Sequence, residues 1–253
     1  MSENLVNYSV ADGVAHIELN RPAVSNSIDL PTALALDAAV EAAGADDAVR
    51  AVLLTGAGKR FCAGGDVASM VAAEDQAAFL LELAEALDLA ARKLDGLAKP
   101  VVCAVQGAVA GAGNSVMLAA DVIVAAASTK FVIAYPGVGL TPDIGASWLL
   151  PRAVGQVRAL EYALTGKQLT AAEAREWGLV TTVVDDEVVI DEARVLAVKL
   201  AAGPVFALGQ ARKLIRGSWE KTREQAGADE ARTIAEAVQT EDAQQRLAAF
   251  TKK

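Results

Sequence analysis

Two short runs near the start of the chain, Val6 to Val10 and Gly13 to Leu19, alternate apolar and polar positions around Ala11-Asp12. A period of two, with Gly13 placed to close the turn, predicts a β-hairpin. The period then changes to that of a helix over residues 31–43, which open at Pro31 and stop at Gly44. The run RAVLLT, Arg50 to Thr55, predicts a buried strand ended by Gly56-Ala57-Gly58. Leu80, Leu83, Leu87 and Leu94 form one stripe of a helix expected over 75–97, and Pro100 breaks it. Val101 to Val105 predicts a second buried strand, 112–119 a helix and Val122 to Ala125 another strand. Residues 143–165 and 170–177 read as helices, Leu179 to Val184 as a strand, and nearly everything after Glu187 as helix. Strands alternating with helices imply parallel pairing through crossovers, an α/β fold. Beyond about residue 200 the charges are too frequent for a core, so this tail should pack on the domain or on a neighbouring subunit.

Between Lys99 and Asp121 there is no charge, a length that could span a bilayer. Pro100, Gln106, three glycines, Asn114 and Ser115 interrupt it, so it reads as a buried strand, a glycine-rich loop and a buried helix. Uncharged runs on both sides of Lys130 place the deepest layer here. Apolar residues make up 53% of the 253, enough for a sizeable core in one large domain. The balance of 23 Lys and Arg against 32 Asp and Glu, a net charge of −9, argues against nucleic acid or an anionic membrane as partner. Two cysteines, Cys62 and Cys103, suit a reduced cytoplasm, and Met1-Ser2-Glu3-Asn4 carries no secretory pattern. One histidine and two cysteines exclude the usual Cys/His zinc centre, and no metal site is expected. The only imidazole, His16, alternates with apolar neighbours and is expected to face the surface, so Ser-His-Asp chemistry is not supported. Acid–base work falls to carboxylates, Tyr or Lys.

Two glycine clusters each follow a strand and precede a helix: Phe61-Cys62-Ala63-Gly64-Gly65-Asp66 and Gly107-Ala108-Val109-Ala110-Gly111-Ala112-Gly113. Neither has the spacing of a dinucleotide fingerprint or a phosphate loop. Such corners aim backbone N–H groups at an anion or a developing oxyanion. Two of them suggest amides converging on one oxygen. Asp66 is placed to cap the helix after the first corner.

Taken in series, Asn20-Arg21-Pro22, FCAGGD at 61–66, KPVVCAVQGAVAGAG at 99–113, GLTPDIGASWLLPRAVG at 139–155, LTAAEAREWGLVTTVV at 169–184 and the terminal AFTKK resemble the crotonase (enoyl-CoA hydratase/isomerase) superfamily over essentially the whole chain. The resemblance implies a crotonase-like spiral of ββα units over residues 1–200, holding the active site, and a helical trimerisation region over 201–253. It implies an acyl-CoA thioester as partner, a homo-trimer or dimer of trimers, and no cofactor, coenzyme A being part of the substrate. Carried across by motif position, the oxyanion donors fall on the amides of Gly65 and Ala112. The substrate-binding set falls on Ala63, whose backbone would meet adenine, on Gly64, Asp66, Gly111 and Tyr135, and on Lys253, which would reach a CoA phosphate.

The departures carry the functional expectation. Hydratases of the family use two glutamates, and the corresponding positions here are Ser115 and Tyr135, both poor bases at neutral pH. Asp143 stands where hydratases usually have Gly. Its local spacing alone reads as a helix N-cap. The resemblance, closest to ring 1,2-epoxyphenylacetyl-CoA isomerases, implies that it is the catalytic carboxylate, in an apolar pocket near Tyr135 and Trp148. One carboxylate can move a proton between two carbons without water, so the expected activity is an acyl-CoA isomerase. An enoyl-CoA hydratase of low efficiency and a non-catalytic acyl-CoA-binding homologue are the alternatives. Trp148, Trp177 and Trp219 are otherwise expected to be core residues.

Overall fold

The computed structural model describes residues 4–251. The predicted hairpin is β1 (Val6–Ala11) and β2 (Val14–Leu19), paired antiparallel with Ala11 opposite Val14. Its two-residue turn has positive φ at Asp12 (53°) and Gly13 (74°), the conformation that follows strand twist. Helix α1 (Leu30–Ala45) is capped by Asp29, which accepts from the Thr32 amide at 2.9 Å. Strand β3 (Ala51–Gly56) follows, then α2 (Val67–Ala72) and the long α3 (Gln76–Gly96). Next come β4 (Val101–Val105), β5 (Ala108–Ala110) and α4 (Ala112–Leu118), then β6 (Val122–Ala126) and β7 (Lys130–Val132). The remainder is α5 (Ala146–Val154), α6 (Gln156–Thr165), β8 (Gln168–Thr170), α7 (Ala171–Trp177), β9 (Thr182–Val184), α8 (Val189–Ala201), α9 (Val205–Gly217), α10 (Arg223–Ala237) and α11 (Glu241–Phe250).

The main sheet has the order β1-β2-β3-β4-β6-β9 and is parallel from β2 onward. Both of its faces are covered, which is why β3 and β4 are buried at every residue. On one face Ile17, Val52, Leu54 and Cys103 meet Leu36 and Val40 of α1 and Leu87 and Leu94 of α3. On the other, Leu53, Val102, Ala104 and Val124 meet Ala193, Ala197 and Ala201 of α8. A smaller sheet, β5-β7-β8, forms a second layer. Central strands thus lead into a short second-layer strand and then a helix, as in β4-β5-α4 and β6-β7-α5, the ββα repeat expected from the sequence. The uncharged stretch after Lys99 becomes β4, β5 and α4, and all seven residues of α4 are buried. No helix among the described residues is long and apolar enough to cross a membrane.

Five local expectations change. Trp219, expected in the core, is 61% exposed. The helix expected over 143–165 starts only at Ala146 and is split at Gly155, whose φ of 81° and ψ of 154° no helix can hold. The strand expected over 179–184 is confined to β9. Strands β5, β7 and β8, three residues each, are not predicted by the sequence, being too short to show a period. His16 faces the surface only in part: it is half-buried beside α8, its Nε2 2.8 Å from Thr55 Oγ and its Nδ1 3.4 Å from Arg194.

The charged tail docks through a buried cation. Arg212 of α9 is 7% exposed, and its Nε donates to both oxygens of Asp121 at 2.7 Å. Its remaining N–H groups reach the carbonyls of Leu94, Asp95, Leu97 and Ala119. Asp121 also accepts from the Val101 amide that begins β4. Helices α10 and α11 bury no residue, and Ile234, Leu247 and Phe250 are exposed.

Candidate active site

The first glycine corner is fixed by two isolated parallel bridges. Cys62 pairs with Val109, its amide donating to Ala108 at 3.3 Å while its carbonyl accepts from Ala110 at 3.0 Å. Gly65 pairs with Ile28: the Ile28 amide donates to Gly64 at 2.8 Å, and the Asp66 amide donates to Ile28 at 2.9 Å. Successive backbone groups of extended chain point to opposite sides, so the Gly65 amide is turned away from Ile28.

The second corner needs glycine at Gly111, whose φ of 49° and ψ of −125° exclude a side chain. Ala112 follows as the first residue of α4, so its amide has no partner within the helix. The two corners touch. At Gly64 (φ 101°) an added Cβ would lie 3.0 Å from the Ala110 carbonyl oxygen and 3.5 Å from the Ala112 amide nitrogen. At Gly113 it would lie 2.7 Å from the Cys62 carbonyl oxygen. Close backbone approach is therefore what the glycines supply. Among the described residues neither the Gly65 nor the Ala112 amide donates to a backbone acceptor.

Gly65 and Ala112 both line a cavity of about 300 Å³. Ala63, Gly64, Gly111, Tyr135 and Asp143 share its wall, so seven of the residues named from the sequence meet at one place. Apart from Thr141 the rest of the wall is apolar, including Ile28, Met70, Leu140 and Ile144, with Leu80, Leu83 and Leu87 from the apolar stripe of α3. That stripe was legible as a buried helix face, but not as a ligand surface.

Asp66 and Lys253 stand apart. The Asp66 side chain caps α2, accepting from Ala68 at 3.2 Å and Ser69 at 3.4 Å, and pairs with Arg21 at 3.0 Å. The same guanidinium pairs with Asp29 at 3.0 Å, so the Asp66 carboxylate is used inside the protein rather than at the cavity. Lys253 lies outside the described residues. Trp148 is not beside Tyr135 in this cavity. It lines a second cavity beyond Ile144, and Arg152 stacks on its ring 3.7 Å from the centroid.

Asp143 does not cap a helix. The N-cap of α5 is Gly145, and the Tyr135 hydroxyl donates to Asp143 Oδ1 at 2.5 Å. The main-chain carbonyl of Asp143 accepts from the Ala146 amide at 2.9 Å and from Ser115 Oγ at 3.2 Å. With φ of 50° at Ile144 and 71° at Gly145, residues 143–146 form a turn of the doubly positive kind. That conformation costs a β-branched residue roughly 1–2 kcal/mol. The turn carries the Asp143 carboxylate to the cavity wall. Burial raises its pKa above the ordinary aspartate value, and the Tyr135 hydrogen bond partly opposes the shift. Tyr135 is pushed upward, first by burial and then by the neighbouring carboxylate, so its hydroxyl stays protonated and a donor. Among the described residues Asp143 is the only carboxylate on the cavity wall, where Ser115 is absent and Tyr135 is committed to Asp143. The arrangement has the parts to hold an oxyanion by two amides and to move a proton by one base.

Comparison with known proteins bears on the family and the fold. The family model described as enoyl-CoA hydratase/isomerase matches residues 9–253. The 1,2-epoxyphenylacetyl-CoA isomerase of Escherichia coli strain K12 is 42% identical over 215 residues, 84% of this chain and 82% of that protein. The trans-2-decenoyl-[acyl-carrier-protein] isomerase of Streptococcus mutans is 41% identical over 182 residues, 71% of this chain and 69% of that protein. A solved enoyl-CoA hydratase of Mycobacterium smegmatis superposes with a TM-score of 0.91 at 30% identity, covering 99% of this chain and 97% of that one. The paired glycine corners, the two-layer ββα spiral and these likenesses across nearly the full length give one conclusion: the chain has the crotonase fold and belongs to the enoyl-CoA hydratase/isomerase family.

Proposed function

We propose that the protein is an acyl-CoA isomerase that shifts a proton through a thioester enolate. The amides of Gly65 and Ala112 hold the thioester oxygen as it gains charge. Losing one preorganised donor of this kind costs about 2.7–4 kcal/mol of transition-state stabilisation. Asp143, ionised, takes a proton from one carbon of the acyl group and returns it to another, so the reaction consumes no water. The backbone near Ala63 and the side chain of Lys253 bind the coenzyme A portion. The helices over 201–253 serve as the interface of a homo-trimer or dimer of trimers.

The observation that carries this reading is the single carboxylate that the described residues bring to a mainly apolar wall, on which the other polar side chains are the hydroxyls of Tyr135 and Thr141. Water addition calls for a second acid–base group. The Tyr135 hydroxyl is spent on Asp143 Oδ1 and the Ser115 hydroxyl on the Asp143 carbonyl. The test is purified enzyme given 3-enoyl-CoA, epoxyphenylacetyl-CoA and crotonyl-CoA, beside Asp143→Asn. The expected result is isomerisation of at least one of the first two, weak hydration of crotonyl-CoA, and a fall in kcat of about 10²–10⁴-fold in the variant. Unchanged turnover in Asp143→Asn removes Asp143 from the mechanism. Rapid hydration of crotonyl-CoA assigns the site to the hydratases, and binding without turnover of any ester makes it a binding protein.

A further inference from the structure

We infer that Ile144 sets how long an acyl group the site accepts and holds it to compact acyl thioesters, an inference that rests on the acyl-CoA reading above. The cavity bearing Asp143 and a second cavity of about 310 Å³ share one residue of their walls, Ile144. Helix α3 runs past both: Leu87 faces the first and Asp88 the second. Besides Ile144 the second cavity is lined by Ala91, Leu149 and Trp148 and by the charged Asp88, Arg92, Asp95 and Glu220. At about 300 Å³ the first cavity is at the small end of ligand sites, which run from about 300 to 1,000 Å³.

The backbone at this position argues that the side chain itself is used. With φ at 50°, glycine, asparagine or aspartate would be at ease in the turn, whereas isoleucine is strained. Ile144 is nonetheless 5% exposed and packed into the core. Strain retained beside a working carboxylate points to a role for the group that bears it. Here that group is a branched apolar plug between two chambers. An acyl end reaching the plug stops there; with the plug removed, it passes into the second cavity along its apolar side, Ala91 and Leu149.

The experiment is calorimetric binding of hexanoyl-CoA and dodecanoyl-CoA to the full chain, wild type against Ile144→Gly and Ile144→Val. These saturated esters have no double bond to shift, so the readout does not depend on turnover. The wild type should bind dodecanoyl-CoA no more than a few-fold tighter than hexanoyl-CoA. Ile144→Gly should raise that preference by about tenfold or more, the gain expected from burying as few as two further methylenes. Ile144→Val, which keeps a β-branched plug, should keep the wild-type ratio. If Ile144→Gly does not fold, Ile144→Ala is read by the same criterion. A wild type already more than about tenfold selective for the longer ester, or an opened variant with an unchanged ratio, overturns the inference while leaving the acyl-CoA reading intact. Failure of the wild type to bind either ester overturns both.

Discussion

At Asp143 the protein keeps a carboxylate where burial disfavours its charge, and stability should record the cost. Its folded pKa lies above the value in the unfolded chain. The penalty is absent below the ordinary aspartate value, grows as pH rises from that value through the folded pKa, and is complete above the folded pKa. Asp143→Asn should therefore have a higher Tm than the wild type at pH 7, with the gap closing in acid, while losing turnover. A thermal denaturation series across pH checks this, and a lower Tm for the variant at neutral pH contradicts it. The Tyr135 hydroxyl stabilises the ionised form through its 2.5 Å bond. Tyr135→Phe should move the ascending limb of the kcat/KM profile to higher pH, because the base then ionises later. A limb that stays in place separates Tyr135 from the base. His16 titrates with the opposite sign. Burial, then Arg194, holds its pKa below the ordinary histidine value. Stability is full above about pH 6.5 and falls as pH drops below it toward the folded pKa, because only the unfolded chain takes the proton. Urea midpoints from pH 7.5 to 5 should show a slope in the wild type that His16→Gln lacks.

At the scale of elements, the site depends on two chain corners pressed together, and glycine permits the approach. In Gly113→Ala the new methyl would lie 2.7 Å from the Cys62 carbonyl oxygen, which is backbone and cannot swing aside. We expect a loss of about 1–3 kcal/mol in urea unfolding, as for other overpacked cores, and a fall in kcat as the corners separate. Wild-type stability in this variant would mean that the corners have room to spare. Much of this scale was legible beforehand. Strand–glycine–helix order marks both corners, and apolar runs such as VVCAV mark strands buried on both faces. What stayed hidden depends on contacts between distant segments. β7 and β8 exist because neighbours accept their hydrogen bonds, not because three residues have a period. Asp143 looks like a helix cap until the positive φ of Ile144 delays the helix to Ala146. Nothing local distinguishes an isoleucine forced into that conformation, or shows that Trp148 lies on its far side.

For the molecule as a whole, Arg212 joins the C-terminal helices to the sheet by way of Asp121 and four backbone carbonyls. Removing one partner of a buried pair typically costs about 3–5 kcal/mol, and Arg212→Ala should approach the lower end because Asp121 is partly exposed. Urea unfolding measures the loss, and a change within about 0.5 kcal/mol, the scatter of ordinary surface substitutions, contradicts it. The bridge between Cys62 and Val109 has a consequence of another kind. It ties segments far apart along the chain, and the turn bearing Asp143 comes later still. A polypeptide emerging from the ribosome has no complete cavity of this kind until the chain has passed residue 144. Small molecules cannot template the early stages of its folding; they can only reward a chain that has already closed its own loops.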